Sequence, residues 1–235
     1  MTTDPRLVKA AMPVDAITYE EAAELAYFGA EVLHPIAMFP AIRSKIPVRV
    51  KNSYNPKALG TSITDTRDKG TSLVTAITAK SSVQLVDIVS TRMLDQFGFL
   101  GQVFAAFSKN SISVDVLASS EVSLSLTLDK NQREKVEDLK RLIRDLSEFS
   151  DVTVLDERAI ISLISNIDRA AEVMATTFRV MDKLGVKVEM LSQGASKVNI
   201  SLVVQMKDKE VLIKALHACF FEGMSPDDLS RIVRT

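Results

Sequence analysis

Apolar and polar positions in most of the chain follow two rhythms, a period near two that predicts strands and a period near 3.6 that predicts amphipathic helices. The pattern first predicts a strand at 83–89, a helix at 98–109, strands at 112–117 and 122–128, a helix at 133–146 and a strand at 152–155. The same order then recurs as a strand at 159–163, a helix at 170–184, strands at 186–191 and 198–204, and a helix at 209–220. This region therefore contains an internal repeat.

The second copy of the repeat lacks a closing strand. An apolar segment at 73–79 precedes the first copy and could supply that strand, which would nest the first unit inside the second. The order βαββαβ is typical of ferredoxin-like α+β units. We therefore predict an α+β fold with two such units, one formed by residues 82–157 and the other by residues 73–81 and 158–223.

The first 63 residues have a different pattern and hold most of the prolines. Thr18 and Glu21 predict a capping box, and the helix that follows should run past Gly29 to about residue 32 and stop at Pro35. A short strand is predicted at 46–50. One helix and one strand cannot enclose a core, so we expect residues 1–63 to be the end of a larger domain. Residues 64–72 are a predicted linker and 224–235 a tail.

Composition excludes several classes of protein. Of the 235 residues 46% are apolar, which is enough to bury a core, and the net charge of -1 gives no electrostatic reason to bind nucleic acid or a membrane. The single cysteine excludes an intrachain disulfide and suits a reducing compartment. The sequence contains no apolar run long enough to span a membrane, and from its first residues we expect neither a secretory signal core nor a transit peptide.

The residues themselves indicate no catalytic or metal site. His34 and His217 are far apart in sequence, and His217 lies in an apolar helix, where a packed histidine is the ordinary interpretation. Cys219 is two positions from His217 on that helix, so the two side chains face different ways and form no dyad. Phosphate-binding loops, GxSxG and HExxH do not occur.

A binding site is a better prospect. Gly98 and Gly101 flank the start of a predicted helix, whose leading N–H groups suit a carboxylate. Asp115, after Ser113 and Val114 on the neighbouring strand, could hold an ammonium group, and the two receptors together describe an amino-acid site. The alternative is a glycine-capped loop beside an exposed aspartate. Similarly, Arg6 could contact a phosphate or be merely solvated.

Longer segments of the sequence resemble the aspartate kinase family. One set resembles the closing part of the catalytic, α/β amino-acid kinase domain: residues 2–6 (TTDPR), 19–35 (YEEAAELAYFGAEVLHP), 46–52 (IPVRVKN) and 60–61 (GT). A second set resembles the two ACT domains of the family: residues 90–100 (STRMLDQFGFL), 112–116 (ISVDV), 119–129 (SSEVSLSLTLD) and 191–201 (LSQGASKVNIS). The closest resemblance is to the monofunctional, lysine-sensitive plant enzymes of the plastid, and it weakens only after Gly223.

The resemblance implies a function. Enzymes of this family phosphorylate the β-carboxylate of aspartate with MgATP, the first step towards lysine, threonine and methionine. Lysine inhibits them by binding at the paired first ACT domains of a homodimer, and in plant members S-adenosylmethionine binds nearby and acts with lysine. By position, Arg6 matches a nucleotide-contacting arginine. The residues matching the lysine site are Met93, Gly98, Phe99, Leu100, Ser113, Val114, Asp115, Ser120 and Glu121.

Two departures from the family pattern limit this expectation. The Lys-Phe-Gly-Gly motif, the aspartate-binding residues and most of the ATP site do not occur in this sequence, so we expect the chain alone to bind no cofactor and to be inactive. Glu31 stands where many members have a lysine that approaches the phosphates. The resemblance places the protein in the chloroplast; without it we would expect the cytoplasm. The alternatives are a stand-alone amino-acid-binding ACT protein and a dimerisation module without a ligand.

Overall fold

The computed structural model describes residues 1–30, 35–68, 70, 72–90, 97–129, 136–194 and 196–231. Its helices are α1 (Tyr19–Tyr27), α2 (Pro35–Ser44), α3 (Phe99–Lys109), α4 (Val136–Ser147), α5 (Ala170–Leu184) and α6 (Lys209–Phe221). Its strands are β1 (Ala16–Thr18), β2 (Val48–Val50), β3 (Thr61–Thr64), β4 (Val74–Ser90), β5 (Leu117–Ser119), β6 (Ser123–Asp129), β7 (Ser150–Ser165), β8 (Met190–Gln193) and β9 (Asn199–Gln205). The fold is mixed α and β, as predicted.

Two long strands lie at the centre of a six-stranded sheet of order β5-β6-β4-β7-β9-β8. The sequence predicted two short strands where β4 lies and two more where β7 lies, and that separation was wrong. The strands continue through the polar breaks near residues 80–82 and 156–158, at which Ser82 and Glu157 adopt positive φ angles of 58° and 59°. Irregular pairing at these two residues bends the sheet without ending the strands.

The pairing of β4 with β7 joins the two repeats. The first half of β4 pairs with the second half of β7, from Val74 opposite Ser165 to Lys80 opposite Ile160. The second half of β4 pairs with the first half of β7, and β6 and β9 flank the pair on either side. Each half of the sheet thus has the strand order of a ferredoxin-like unit, and the half containing β9 takes one strand from residues 74–80.

The strands predicted at 112–117 and 186–191 form only near their ends, as β5 and β8. In the preceding residues the backbone meets the sheet irregularly: the Asp115 N–H donates to the Thr127 carbonyl at 3.0 Å and the Glu189 N–H to the Val203 carbonyl at 2.9 Å. In each unit, the segment before the short strand bonds to the sheet through its backbone, and it does so at equivalent positions. Asp115 and Glu189 therefore occupy matching positions.

Helices cover one face of each half-sheet. Helices α3 and α4 pack Phe107 and Leu142 against Leu126, whereas α5 and α6 pack Val180 and Leu216 on the other half. The face away from these helices holds a smaller apolar cluster, the members of which include Leu85, Ile160, Met190 and Val203. Phe28, the residue that follows α1, packs into this cluster, so the N-terminal segment covers part of the face that the other helices leave open.

The N-terminal segment forms a small sheet of order β1-β3-β2 with two helices. The predicted capping box is confirmed: Thr18 Oγ1 accepts from the Glu21 N–H at 3.1 Å and Glu21 Oε2 accepts from the Thr18 N–H at 2.7 Å. Helix α1 nevertheless ends at Tyr27, before the predicted end, because Gly29 adopts a φ of +99°. Pro35 begins helix α2 instead of stopping a helix, since proline suits the first position of a helix. The predicted residues 31–34, with Glu31 and His34, lie outside the described residues.

Gly60, just before β3, gives a test of this small sheet. Its φ is +73°, and a Cβ at this position would collide with the carbonyl oxygen of Val50. We expect Gly60→Ala to lower the free energy of unfolding by about 1 kcal/mol or more, measured by urea denaturation. Gly185→Ala is the matched control, because Gly185 has a φ of +65° but no atom within 4 Å of the added methyl group. Equal losses in both variants would show that the collision with Val50 is relieved by movement.

Candidate functional site

The residues predicted to bind an amino acid fall into two groups on the first unit. Gly98, with a φ of +86°, precedes α3, and Phe99 is buried while Leu100 is partly exposed. Ser120 and Glu121 lie in the turn between β5 and β6, at the end of the sheet where the Ser90 N–H donates to the Val122 carbonyl. Because α3 starts only nine residues after Ser90, the described end of β4, these residues belong to one end of the unit. Met93 lies outside the described residues.

The second group, Ser113, Val114 and Asp115, lies at the opposite end. The backbone of Asp115 bonds to Thr127, four residues along β6 from Ser123. At the rise of an extended strand this separation is about 13 Å. The α-carboxylate and α-ammonium groups of an amino acid are bonded to one carbon, so a single ligand cannot reach both groups within one chain.

Asp115 binds an ammonium group of the chain itself. Lys80 Nζ lies 2.8 Å from Asp115 Oδ2 and 3.0 Å from Asp129 Oδ2, and all three side chains are less than one-fifth exposed. Burial acts to lower the pKa of Lys80, but the hydrogen bonds to the two carboxylates outweigh it and raise that pKa above its ordinary value. Asp115 is therefore not the exposed aspartate of the alternative interpretation.

The second unit repeats this arrangement with different residues. Arg158 Nη2 donates to Glu189 Oε1 at 3.0 Å, and Glu189 is the equivalent of Asp115. Each unit thus places a carboxylate at the same position and neutralises it with a base from a central strand. In the sequence, the basic residue within each polar break is the signal for these ion pairs.

A cavity of about 600 Å³ opens beside Asp115, between α1, the start of β5 and the β8–β9 hairpin. Its described lining includes the carboxylates of Glu24 and Asp115 and no lysine or arginine. Asn199 Nδ2 donates to Glu24 Oε2 at 2.9 Å, which orients that carboxylate at the cavity wall. The described lining therefore carries two carboxylates, of which Asp115 is already paired with Lys80. Sequence reasoning missed the cavity because its walls come from three distant parts of the chain.

Arg6 lies at the tip of an exposed N-terminal loop. Its guanidinium group donates to both carboxylate oxygens of Asp4, with Nη2 2.8 Å from Oδ2. The Arg6 side chain is 83% exposed. The hydrogen bonds from Arg6 hold the pKa of Asp4 below its ordinary value. The loop thus presents one oriented guanidinium group at the surface.

Cys219 and His217 of helix α6 have separate surroundings. Burial raises the pKa of the Cys219 thiol to about 11, so the thiolate nucleophile is not formed near neutral pH. His217 is fully buried and bonds to Thr2 and Glu222 rather than to Cys219. In the described part of the chain, no cluster of histidine, cysteine and acidic side chains has the arrangement of a metal site. None of the helices that the structure describes is long and apolar enough to cross a membrane.

Comparison with known proteins agrees with this architecture. The family model for the ACT domain matches residues 161–220, and the model for the amino acid kinase family matches residues 1–52. These matches and the fold define a class of protein in which ACT-type regulatory units follow an amino acid kinase segment. The nested sheet and the small N-terminal sheet are the two parts of that architecture.

Individual relatives narrow the class. Aspartokinase 3, chloroplastic, from Arabidopsis thaliana is 51% identical over 94% of this chain and 40% of its own length. Structures of E. coli aspartokinase III with aspartate and ADP (TM-score 0.83, 37% identity) and with lysine and aspartate (TM-score 0.78, 36% identity) each match 94% of this chain and 49% of that protein. A structure named as a C-terminal regulatory domain of aspartate kinase from Porphyromonas gingivalis is 30% identical, with a TM-score of 0.53, over 62% of this chain and 96% of that one. The chain belongs to the aspartokinase family and spans less than half the length of the curated relatives it matches.

Proposed function

We propose that this chain is the regulatory portion of an aspartokinase and that it senses lysine through its first ACT unit. The observation that carries the proposal is that Asp115, a largely buried carboxylate with an ammonium partner in Lys80, borders a cavity whose lining also includes the carboxylate of Glu24. The E. coli aspartokinase III structure that contains lysine supports the same ligand. The carboxylate beside the cavity and the lysine in the E. coli structure both support a cationic amino acid as the ligand.

The domain boundaries that we propose follow the strand pairing. Residues 82–157 form ACT unit 1, residues 73–81 with 158–223 form ACT unit 2, and residues 1–63 are a kinase segment joined by a linker at 64–72. The pairing of residues 74–80 with 160–165 supports the nested division. The match of the ACT family model to residues 161–220 supports the extent of unit 2.

We propose that the lysine site is completed by a second copy of the chain. The helix start at Gly98 and the carboxylate of Asp115 lie at opposite ends of unit 1, and a two-fold dimer can place one end of each copy beside the other end of its partner. Exposed apolar side chains near these ends support such a contact: Phe97, Leu100, Phe104 and Leu117. S-adenosylmethionine, which carries an ammonium and a sulfonium group, is a second ligand that suits a cavity lined by apolar side chains and the Glu24 carboxylate.

For the whole enzyme we propose phosphorylation of the aspartate β-carboxylate by MgATP, with Arg6 at the edge of the nucleotide site. The exposed guanidinium group of Arg6 and the E. coli structure that contains aspartate and ADP support this assignment. The chloroplastic Arabidopsis relative supports a chloroplast location. The carboxylates at the cavity and the exposed apolar side chains would serve amino-acid binding with or without kinase activity. A stand-alone amino-acid-binding protein is therefore the second candidate.

Lysine calorimetry with light scattering tests the regulatory proposal. We expect a dimer at micromolar concentration and binding of lysine, with no binding of norleucine at the same concentration, because norleucine lacks the ε-ammonium group. A dimer that binds no lysine would support a dimerisation module instead. A monomer with and without lysine would contradict the shared site.

A further inference from the structure

The N-terminal loop is closed by the backbone and side chain of Thr2. The Thr2 N–H donates to the Met12 carbonyl at 2.7 Å, and Thr2 Oγ1 accepts from the Met12 N–H at 3.0 Å. The Thr2 carbonyl accepts from the N–H of Ile77 in β4 at 2.7 Å. Residues 2–12 thus form a loop that is pinned at its base to a strand of ACT unit 2, with Arg6 between the two ends.

His217 of helix α6 adds a second attachment at the same point. Its Nε2 lies 2.9 Å from Thr2 Oγ1, and its Nδ1 lies 2.8 Å from Glu222 Oε1. The imidazole is fully buried, Thr2 is 5% exposed, and the ring of Phe221 lies 4.8 Å from the imidazole centroid. A side chain so enclosed cannot exchange its two hydrogen bonds for water.

The hydrogen bonds of this network run from Glu222 to the base of the loop. A carboxylate only accepts, so Nδ1 of His217 donates to Glu222 Oε1. Nε2 of His217 is hydrogen-bonded to the Thr2 hydroxyl, whose oxygen also accepts from the Met12 N–H. Both ring nitrogens and the Thr2 hydroxyl therefore have partners, which favours one fixed position of the loop base.

We propose that His217 is a positioning residue that holds the 2–12 loop, and with it Arg6, onto ACT unit 2. The order acid, histidine, hydroxyl also occurs in nucleophilic enzymes, but here the hydroxyl faces the interior and is used within the loop, which favours attachment over catalysis. Val8 of the loop packs in the same apolar cluster as Leu212 and Leu216 of α6. A shift of α6 would therefore move the loop.

Any effect of this attachment on nucleotide binding rests on the proposed role of Arg6. The attachment of the 2–12 loop to ACT unit 2 does not depend on that role. Through this contact the second ACT unit touches the loop that carries a proposed nucleotide contact. No residue of the proposed lysine site takes part. The attachment can thus be measured without nucleotide and without lysine, so its failure and the failure of the proposed function are distinguishable.

Residue-resolved hydrogen exchange of the whole chain tests the attachment. In His217→Phe, which keeps a ring beside Phe221 but removes both nitrogens, we expect the amides of Met12 and Ile77 to exchange about 5- to 100-fold faster. Amides in β9 and the first turns of α6 should keep their protection. Trypsin should also cleave faster after Arg6, because the loop opens more often.

Two further variants guard against a simple loss of folding. Thr2→Val should accelerate exchange in the loop as His217→Phe does, and Thr2→Ser, which restores the hydroxyl, should return it close to that of the unaltered chain. Thr177→Val is the control, since Thr177 is buried in α5 and its hydroxyl donates to the Val173 carbonyl, away from the loop. Unchanged loop exchange in His217→Phe, or equal acceleration in the loop, α6 and β9, would overturn the proposal.

Discussion

Glu21→Ala is expected to lower the free energy of unfolding by about 3–5 kcal/mol, the range observed when one partner of a buried ion pair is removed. The Glu21 side chain is fully buried, and its partner Arg67 is only 13% exposed. Arg67 belongs to the linker, so the substitution would leave an unpaired guanidinium group between α1 and β4. Chemical denaturation followed by circular dichroism measures the loss.

The size of this effect follows from the number of hydrogen bonds that Glu21 accepts. Oε1 accepts from Arg67 Nη2 at 2.6 Å and from Thr75 Oγ1 at 2.8 Å, and Oε2 accepts from Arg67 Nε and the Thr18 N–H, both at 2.7 Å. One carboxylate therefore joins the cap of α1, the linker and the start of β4. Glu20→Ala is the matched control: Glu20 is the exposed neighbour on the same helix, and its loss should cost about 0.5 kcal/mol or less.

The pH dependence of stability gives a second signature of the same group. Burial acts to raise the pKa of Glu21, but the hydrogen bonds from Arg67, the Thr18 N–H and Thr75 outweigh it and hold that pKa below its ordinary value. A depressed pKa stabilises the folded state above the unfolded value of about 4.3, and the contribution is lost as the pH falls through the folded value. The stability difference between the wild type and Glu21→Ala should therefore shrink below about pH 4. A difference that is independent of pH would contradict the ionised pair.

Asp115→Ala is expected to weaken lysine binding by about 2–5 kcal/mol, or roughly 30- to several-thousand-fold. This expectation depends on the proposed lysine site. The ion pair with Lys80 changes the cost to the fold, because Lys80 keeps Asp129 at 3.0 Å when Asp115 is removed. We therefore expect the loss of lysine affinity to exceed the loss of folding stability. Lysine titrations and thermal melts of both proteins, run side by side, measure the two effects.

The second ACT unit supplies the control for this variant. Glu189→Ala removes the equivalent carboxylate and leaves Arg158 unpaired, so it should destabilise the fold without a comparable loss of lysine affinity. If Asp115→Ala binds lysine as the unaltered chain does, Asp115 serves only to bind Lys80. If both variants lose affinity equally, the loss arises from the fold and not from the site.

The helices and the repeat were predictable because they depend on local pattern. Helices α5 and α6 begin and end close to their predicted limits, and the Thr18–Glu21 capping box is visible in four residues of sequence. The continuity of β4 and β7 was not predictable in this way. A polar segment such as residues 80–82 is typical of a turn. Only its pairing with β7, which is itself irregular near Glu157, shows that the strand continues through this segment.

The candidate site shows the same limit. The sequence indicated the helix start at Gly98 and the side chain of Asp115 as receptors for the carboxylate and ammonium groups of an amino acid. The sequence could not show that these two residues lie at opposite ends of one unit, because the distance between them depends on how β5 and β6 pair. Nor could it indicate Lys80, His217 or Glu24 as partners, since each meets its partner across a long separation in sequence.

The sharing of β4 and β7 by both ACT units constrains the order in which the chain acquires its structure during synthesis. The second half of β4 finds its partner β6 as soon as residue 129 has emerged, so unit 1 can assemble from a continuous segment. Residues 74–80 are made earlier but must wait for residues 160–165, and contacts between such distant segments form slowly. Until then an apolar strand with an unpaired edge stays exposed, and pairing with another chain at this stage would compete with correct folding. In the nested sheet, the first-made strand of unit 2 therefore stays without its partner until the whole of unit 1 has been synthesised.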